Sequence, residues 1–65
     1  MKILIIDSSF FMRAGLIQVL TNYATQPSIF EADSFSVAET YLNADEFNLI
    51  FIEMDLPDEE IRPAL

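Results

Sequence analysis

The chain has no cysteine and no histidine among its 65 residues, and only one glycine. Without cysteine, disulfides, thiolate zinc sites and cysteine nucleophiles are excluded. Without histidine, the commonest general base and metal ligand is missing. Basic residues are scarce as well, since three Lys and Arg face eleven Asp and Glu and leave a net charge of −8. Such a field repels phosphate groups, so we expect these residues to bind neither nucleic acid nor anionic membrane surfaces.

Long hydrophobic runs are also absent, because no uninterrupted apolar stretch reaches the ~20 residues of a membrane helix. Met1 leads directly into a strand-like run without the features of a signal peptide. Hydrophobic residues nevertheless make up 52% of the chain, which argues against disorder. We therefore expect one small, soluble, cytoplasmic domain. A chain this short buries only ~60% of its unfolded surface, so a partner chain or a carboxylate-bound cation would help to stabilise it.

Apolar patterning predicts alternating strands and helices. Residues 3–6 and 49–52 are short aliphatic runs typical of strands buried on both faces, and residues 28–32 have the mixed polarity of an edge strand. Apolar residues recur at helical spacing over residues 10–20, which predicts a helix capped by Ser8 or Ser9. They do so again over residues 35–43, where Asp33 and Ser34 offer the cap. This order predicts an α/β fold with a parallel sheet in the order 2-1-3 and one helix on each face.

The first predicted helix carries two apolar stripes. One consists of Met12, Leu16, Val19 and Leu20, and the other of Phe10, Ala14 and Ile17. Gly15 lies in the middle of this helix, where glycine costs ~1 kcal/mol relative to alanine, and we expect it to serve close packing. Met12, Phe30 and Phe51 are expected to be core residues.

Acidic residues follow two strands that are predicted to be neighbours. Asp7 follows the first strand, and Glu53 and Asp55 follow the third. The carboxyl ends of parallel strands meet at one rim of the sheet, so these carboxylates would share a pocket there. Carboxylates so close either raise one another's pKa or recruit a cation, and oxygen ligands favour Mg²⁺. The alternative is that these acids merely end their strands at solvent.

These residues carry a resemblance to a known family. The segment Lys2 to Asp7, the Gly-Leu pair at 15–16, the Glu-Ala pair at 31–32 and the segment Asn48 to Pro57 resemble the receiver domain of two-component response regulators. The similarity is greatest to receivers that precede a helix-turn-helix DNA-binding domain. It implies that residues 1–65 form a partial receiver, the β-α-β-α-β half of a flavodoxin-like doubly wound sheet followed by the start of a third helix.

The resemblance also implies roles for individual residues. Asp7 matches the first of two Mg²⁺-binding acids, and Ser8 stands where the second acid is expected. Glu53 stands at the phosphoacceptor position, and Asp55 matches the residue whose carbonyl completes metal coordination. Ser8 would weaken Mg²⁺ binding, and the longer Glu53 would displace the accepting oxygen by about 1 Å, enough to slow transfer ~100-fold. We therefore expect a degenerate, non-catalytic receiver that requires no cofactor and binds Mg²⁺ weakly at most.

Half a receiver leaves apolar surface without its usual cover. The stripe of Phe10, Ala14 and Ile17 and the third strand, with Leu49 and Phe51, would be exposed, and an apolar strand edge invites pairing with another chain. We predict self-association into a homo-oligomer. The alternative is that the sequence is a fragment of a longer polypeptide.

Three functions remain open from the sequence. The first is a phosphorylation-independent receiver module of a transcriptional regulator that acts through self-association. The second is a conventional Mg²⁺-dependent phosphoacceptor of the LuxR type, served by a sensor kinase. The third is a small Mg²⁺-dependent phosphotransfer enzyme, although the Asp-x-Asp that such an enzyme needs after its first strand is replaced here by Asp7, Ser8 and Ser9.

Overall fold

A computed structural model describes residues 1–54, and Asp55 and the predicted start of a third helix lie outside the described residues. The described chain forms three strands and two helices in strict alternation. In chain order they are β1 (Lys2–Ile6), α1 (Phe10–Tyr23), β2 (Ser28–Ala32), α2 (Phe35–Ala44) and β3 (Leu49–Ile52).

The strands form one parallel sheet in the order β2-β1-β3. Ile3 pairs with Ile29 and Leu49, and Ile6 pairs with Ala32 and Ile52, so the three strands end level with one another. The predicted fold class is confirmed: the chain is the β-α-β-α-β half of a flavodoxin-like sheet. The all-aliphatic β1 lies at the centre because both of its faces are covered.

Both helices begin at a serine that caps the first turn. The Ser9 hydroxyl accepts a hydrogen bond from Met12 N at 3.2 Å, and the Ser34 hydroxyl accepts one from Val37 N at 3.3 Å. The predicted end of the first helix at residue 20 is wrong, since α1 continues to Tyr23. Ala24 N donates to Leu20 O at 2.8 Å and closes a further turn that the polar residues after Leu20 did not suggest.

The core lies between the sheet and α2. Leu4, Ile6 and Ala32 from the sheet pack against Ala38 of α2, and all four are buried. Phe30 extends this core, with ring centroids 5.4 Å from Tyr41 and 5.3 Å from Phe47 in edge-to-face arrangements. Phe47, in the segment between α2 and β3, is therefore a packing residue.

The other face of the sheet is covered by α1. Ile3 and Ile5 are fully buried there, and the partly buried residues of α1 are Arg13, Leu16, Ile17 and Leu20. The side of α1 that packs on the sheet therefore contains residues of both predicted stripes. The expectation that Met12 is a core residue is wrong, because its side chain is 57% exposed, and Val19 is 51% exposed. Phe30 and Phe51 are half-buried.

Gly15 lies on the exposed surface of α1, and the expectation of close packing there is wrong. A Cβ at this position would meet no atom within 4 Å among the described residues. Glycine is therefore not required by the packing of a single copy of residues 1–54.

β3 is an edge strand of the described sheet, although its sequence is that of a central one. Leu49 and Ile50 are 40% and 44% exposed, Ile52 is exposed, and Phe51 is half-buried. Each face of the strand is thus only partly covered by the neighbouring helix.

Candidate functional site

The rim formed by the carboxyl ends of the strands brings Asp7 and Glu53 together. Glu53 N donates to Ile6 O at 2.8 Å, which extends the ladder of β1 and β3 by one residue. On the other side of β1, Asp7 N donates to Ala32 O at 3.0 Å. The predicted neighbourhood of these two acids follows directly from the parallel register of β1 and β3.

Ser8 holds the carboxylate of Glu53 with two donors. Its backbone N donates to Glu53 Oε2 at 3.0 Å, and its hydroxyl donates to the same oxygen at 2.8 Å. These bonds join the turn before α1 to the end of β3. The Ser8 backbone donor, followed by its hydroxyl donor, lowers the pKa of Glu53 below its ordinary range. Glu53 is therefore held as an anion.

Asp7 organises the turn between β1 and α1. The residue is buried, and its Oδ1 accepts a hydrogen bond from Ser9 N at 2.8 Å. This Asx-type turn places Ser9 at the helix cap and Ser8 over Glu53. The local sequence Asp-Ser-Ser therefore supplies a turn former, a donor to Glu53 and a helix cap.

Arg13 is a positioning residue that the sequence analysis missed. Its Nη1 donates to the carbonyl of Asp7 at 2.6 Å, and its Nε donates to Glu31 Oε1 of β2 at 2.9 Å. The guanidinium thus fixes the end of β1 to the end of β2. The one available signal was that Arg13 is the only basic residue between Lys2 and Arg62.

The opposite rim has its own electrostatic link. The Lys2 ammonium pairs with Asp45, and Lys2 N donates to Asn48 Oδ1 at 2.7 Å. The hydrogen bond from the Lys2 side chain is the main cause that lowers the pKa of Asp45. Both basic residues of the described chain are thus engaged in ion pairs, and the acids elsewhere dominate its surface potential.

An open groove of about 120 Å³ runs beside the candidate site, between α1 and β3. Its apolar walls include Ile5, Leu16 and Phe51, and Asp7 and Glu53 lie at its rim end. Within residues 1–54 no three acidic side chains converge as a metal site would require. Asp55, the third predicted carboxylate, lies outside the described residues.

The remaining predicted site residues lie on α1 and β3. Phe10 and Ala14 are exposed and Ile17 is half-buried on α1, and Leu49 and Phe51 lie on the face of β3 that α1 partly covers. The structure therefore divides the predicted stripe of Phe10, Ala14 and Ile17 between the surface and the interior.

No family model, no curated protein and no solved structure matches this chain. Neither helix in the described part of the chain is long and apolar enough to cross a membrane.

Proposed function

We propose that this chain is a non-catalytic receiver module of a two-component-type transcriptional regulator. It works without phosphoryl transfer and acts through self-association. Support comes from the half-flavodoxin topology and from the placement of Asp7 and Glu53 at neighbouring strand ends. Because the net charge is −8, contact with DNA would belong to a separate helix-turn-helix domain.

The observation that carries this proposal is the pair of hydrogen bonds from Ser8 to Glu53 Oε2. A phosphoacceptor must present a free carboxylate oxygen in line with the leaving group. Here Oε2 already accepts two donors, and charge-assisted bonds of this kind are strong, so they fix the orientation of the Glu53 carboxylate. The lowered pKa also makes the carboxylate a weaker nucleophile.

Ser8 and Glu53 together also reduce the need for a metal ion at the rim. A hydroxyl at position 8 places a donor, not a second negative charge, against Glu53, so like-charge repulsion at the rim is relieved without a cation. Asp7 and Asp55 are the residues that would hold Mg²⁺ if it bound. The module then needs neither Mg²⁺ nor a sensor kinase to hold a negative charge at position 53.

A small phosphodonor with Mg²⁺, followed by intact mass measurement, tests the proposal. We expect the wild-type mass to stay unchanged, while an active receiver domain treated in parallel gains one phosphoryl group. Glu53→Gln serves as the matched variant without a carboxylate at this position. A phosphoryl adduct on the wild type that is absent from Glu53→Gln would overturn the proposal and establish a conventional phosphoacceptor.

A further inference from the structure

The exposed flank of α1 that faces β3 is almost purely apolar. With 100° of rotation per residue, the side chains of Met12, Val19 and Tyr23 fall within about 40° of one another round the helix axis. All three side chains are exposed, and Gly15 lies beside them with open space around its Cα. These four residues form what we call the α1 flank.

Two contacts fix the direction in which the α1 flank points. Arg13 bonds Glu31 of β2, whereas Leu16 lines the groove shared with Phe51 of β3. Arg13 therefore marks the side of α1 near β2, and Leu16 marks the side near β3. Met12 and Val19 lie beyond Leu16 on the helix surface, farther from Arg13. Phe10 lies on the other side of Arg13, toward β2.

The α1 flank continues into the exposed part of the sheet. Leu49 pairs with Ile3, and Phe51 pairs with Ile5, so both lie on the face that α1 partly covers. Leu49 is 40% exposed, and Phe51 forms a wall of the groove. Helix flank, groove and strand thus make one mainly apolar surface, the α1–β3 surface, with Asp7 and Glu53 at the end of its groove.

The distribution of charge indicates what covers this surface. Residues 8–30, which include all of α1, contain no Asp or Glu, and their single charge, Arg13, is paired with Glu31. All acids therefore lie outside α1, while the chain as a whole carries −8. A basic partner would be attracted to the acidic surfaces instead. Two copies of this chain, which repel each other elsewhere, can approach most closely along α1, where acids are absent.

We propose that two copies of this chain associate through the α1–β3 surface, with the α1 flanks packed against each other. A two-fold arrangement lets the same apolar surface serve both copies. Gly15 leaves room for the helices to approach. This inference rests on the self-association in the proposed function and places the helix contact on the flank of Met12 and Val19 instead of the stripe of Phe10, Ala14 and Ile17.

Matched pairs of charge insertions test the surface by sedimentation equilibrium. Val19→Glu puts a charge on the α1 flank, and Thr21→Glu puts the same charge on the exposed surface of α1 about 160° away. Leu49→Glu and Ile50→Glu form a second pair, since the two side chains are similarly exposed but lie on opposite faces of β3. Far-UV circular dichroism establishes that each variant folds.

We expect Val19→Glu and Leu49→Glu to weaken association at least tenfold, and Thr21→Glu and Ile50→Glu to leave it within about twofold of wild type. Equal effects of Val19→Glu and Thr21→Glu, or of Leu49→Glu and Ile50→Glu, would overturn the α1–β3 surface while leaving self-association through another surface intact. A wild type that stays monomeric would overturn self-association itself, and the phosphodonor result would still stand separately. If Leu49→Glu does not fold, the pair on α1 decides.

Discussion

At the scale of the residue, Ser8 and Glu53 form a hydrogen-bonded link between the turn after β1 and the end of β3. Glu53 Oε2 lies 2.8 Å from the Ser8 hydroxyl and 3.0 Å from the Ser8 backbone N. A carboxylate at position 8 would repel Glu53, whereas the serine hydroxyl donates to it. Under the proposed function, these two residues would impair phosphoryl transfer while they stabilise this link.

Introducing a carboxylate at position 8 should create a need for metal. Ser8→Asp removes the hydroxyl donor and sets a second negative charge against Glu53, so Mg²⁺ becomes the favoured neutralising partner. We expect Mg²⁺ to raise the Tm of Ser8→Asp, by about 4–8 °C for each kcal/mol of binding in a domain of this size. The matched Ser8→Asn variant and the wild type should show no such increase in thermal melts. An equal Mg²⁺ effect on the wild type would contradict this view of Ser8.

At the scale of the element, strands were easier to predict than helix faces. Residues 49–52 were predicted with the observed bounds because an aliphatic run between polar residues leaves little choice. Residues 28–32 were also predicted with the observed bounds, although their polarity is mixed. The two stripes of α1 were not resolved, since the helix is apolar over most of its circumference and the sheet selects the buried side. Arg13 shows the same limit: its position on the inner face depends on Glu31 and the Asp7 carbonyl, which only the tertiary fold brings near.

The candidate site was predictable to the same extent. Parallel strand ends place Asp7 and Glu53 at one rim, and this was expected from the β-α-β-α-β order. The hydrogen bonds between Ser8 and Glu53 were not, because they depend on the turn that Asp7 forms with Ser9 N and on the side-chain conformation of Glu53.

Gly15 offers a test of the α1 surface. Because a Cβ there meets nothing within 4 Å, Gly15→Ala should stabilise the chain by about 1 kcal/mol through helix propensity alone. Ala14→Gly, at the exposed neighbouring position, should cost about the same amount. Urea unfolding at dilutions below the association range gives both values. Destabilisation by Gly15→Ala would show that the helix is packed more closely at this position than the structure indicates.

At the scale of the whole molecule, the distribution of charge should decide how two copies associate. Seven acids in the described residues surround a helix that has none, so association should work against long-range repulsion and not through ion pairs. Raising the ionic strength from about 0.01 M to 0.15 M shortens the Debye length from about 30 to about 8 Å. We expect sedimentation equilibrium to show tighter association as salt rises. Weaker association at high salt would indicate an interface held by charged pairs.

The account as a whole depends on Ser8 holding Glu53 as an anion across the ends of β1 and β3. A Glu whose pKa is lowered on folding contributes stability that is complete above its unfolded pKa and is lost as the pH falls through its folded pKa. Removal of the Ser8 hydroxyl should therefore raise the pKa of Glu53 toward its ordinary range and weaken this contribution.

The most direct measurement is a pH titration of the Glu53 carboxyl carbon by NMR in the wild type, Ser8→Ala and Ser28→Ala. Ser28 begins β2 at the opposite end of the sheet and provides the control. We predict that the pKa of Glu53 lies below its ordinary range in the wild type and Ser28→Ala, and is higher in Ser8→Ala. The same Glu53 pKa in the wild type and Ser8→Ala would contradict the account.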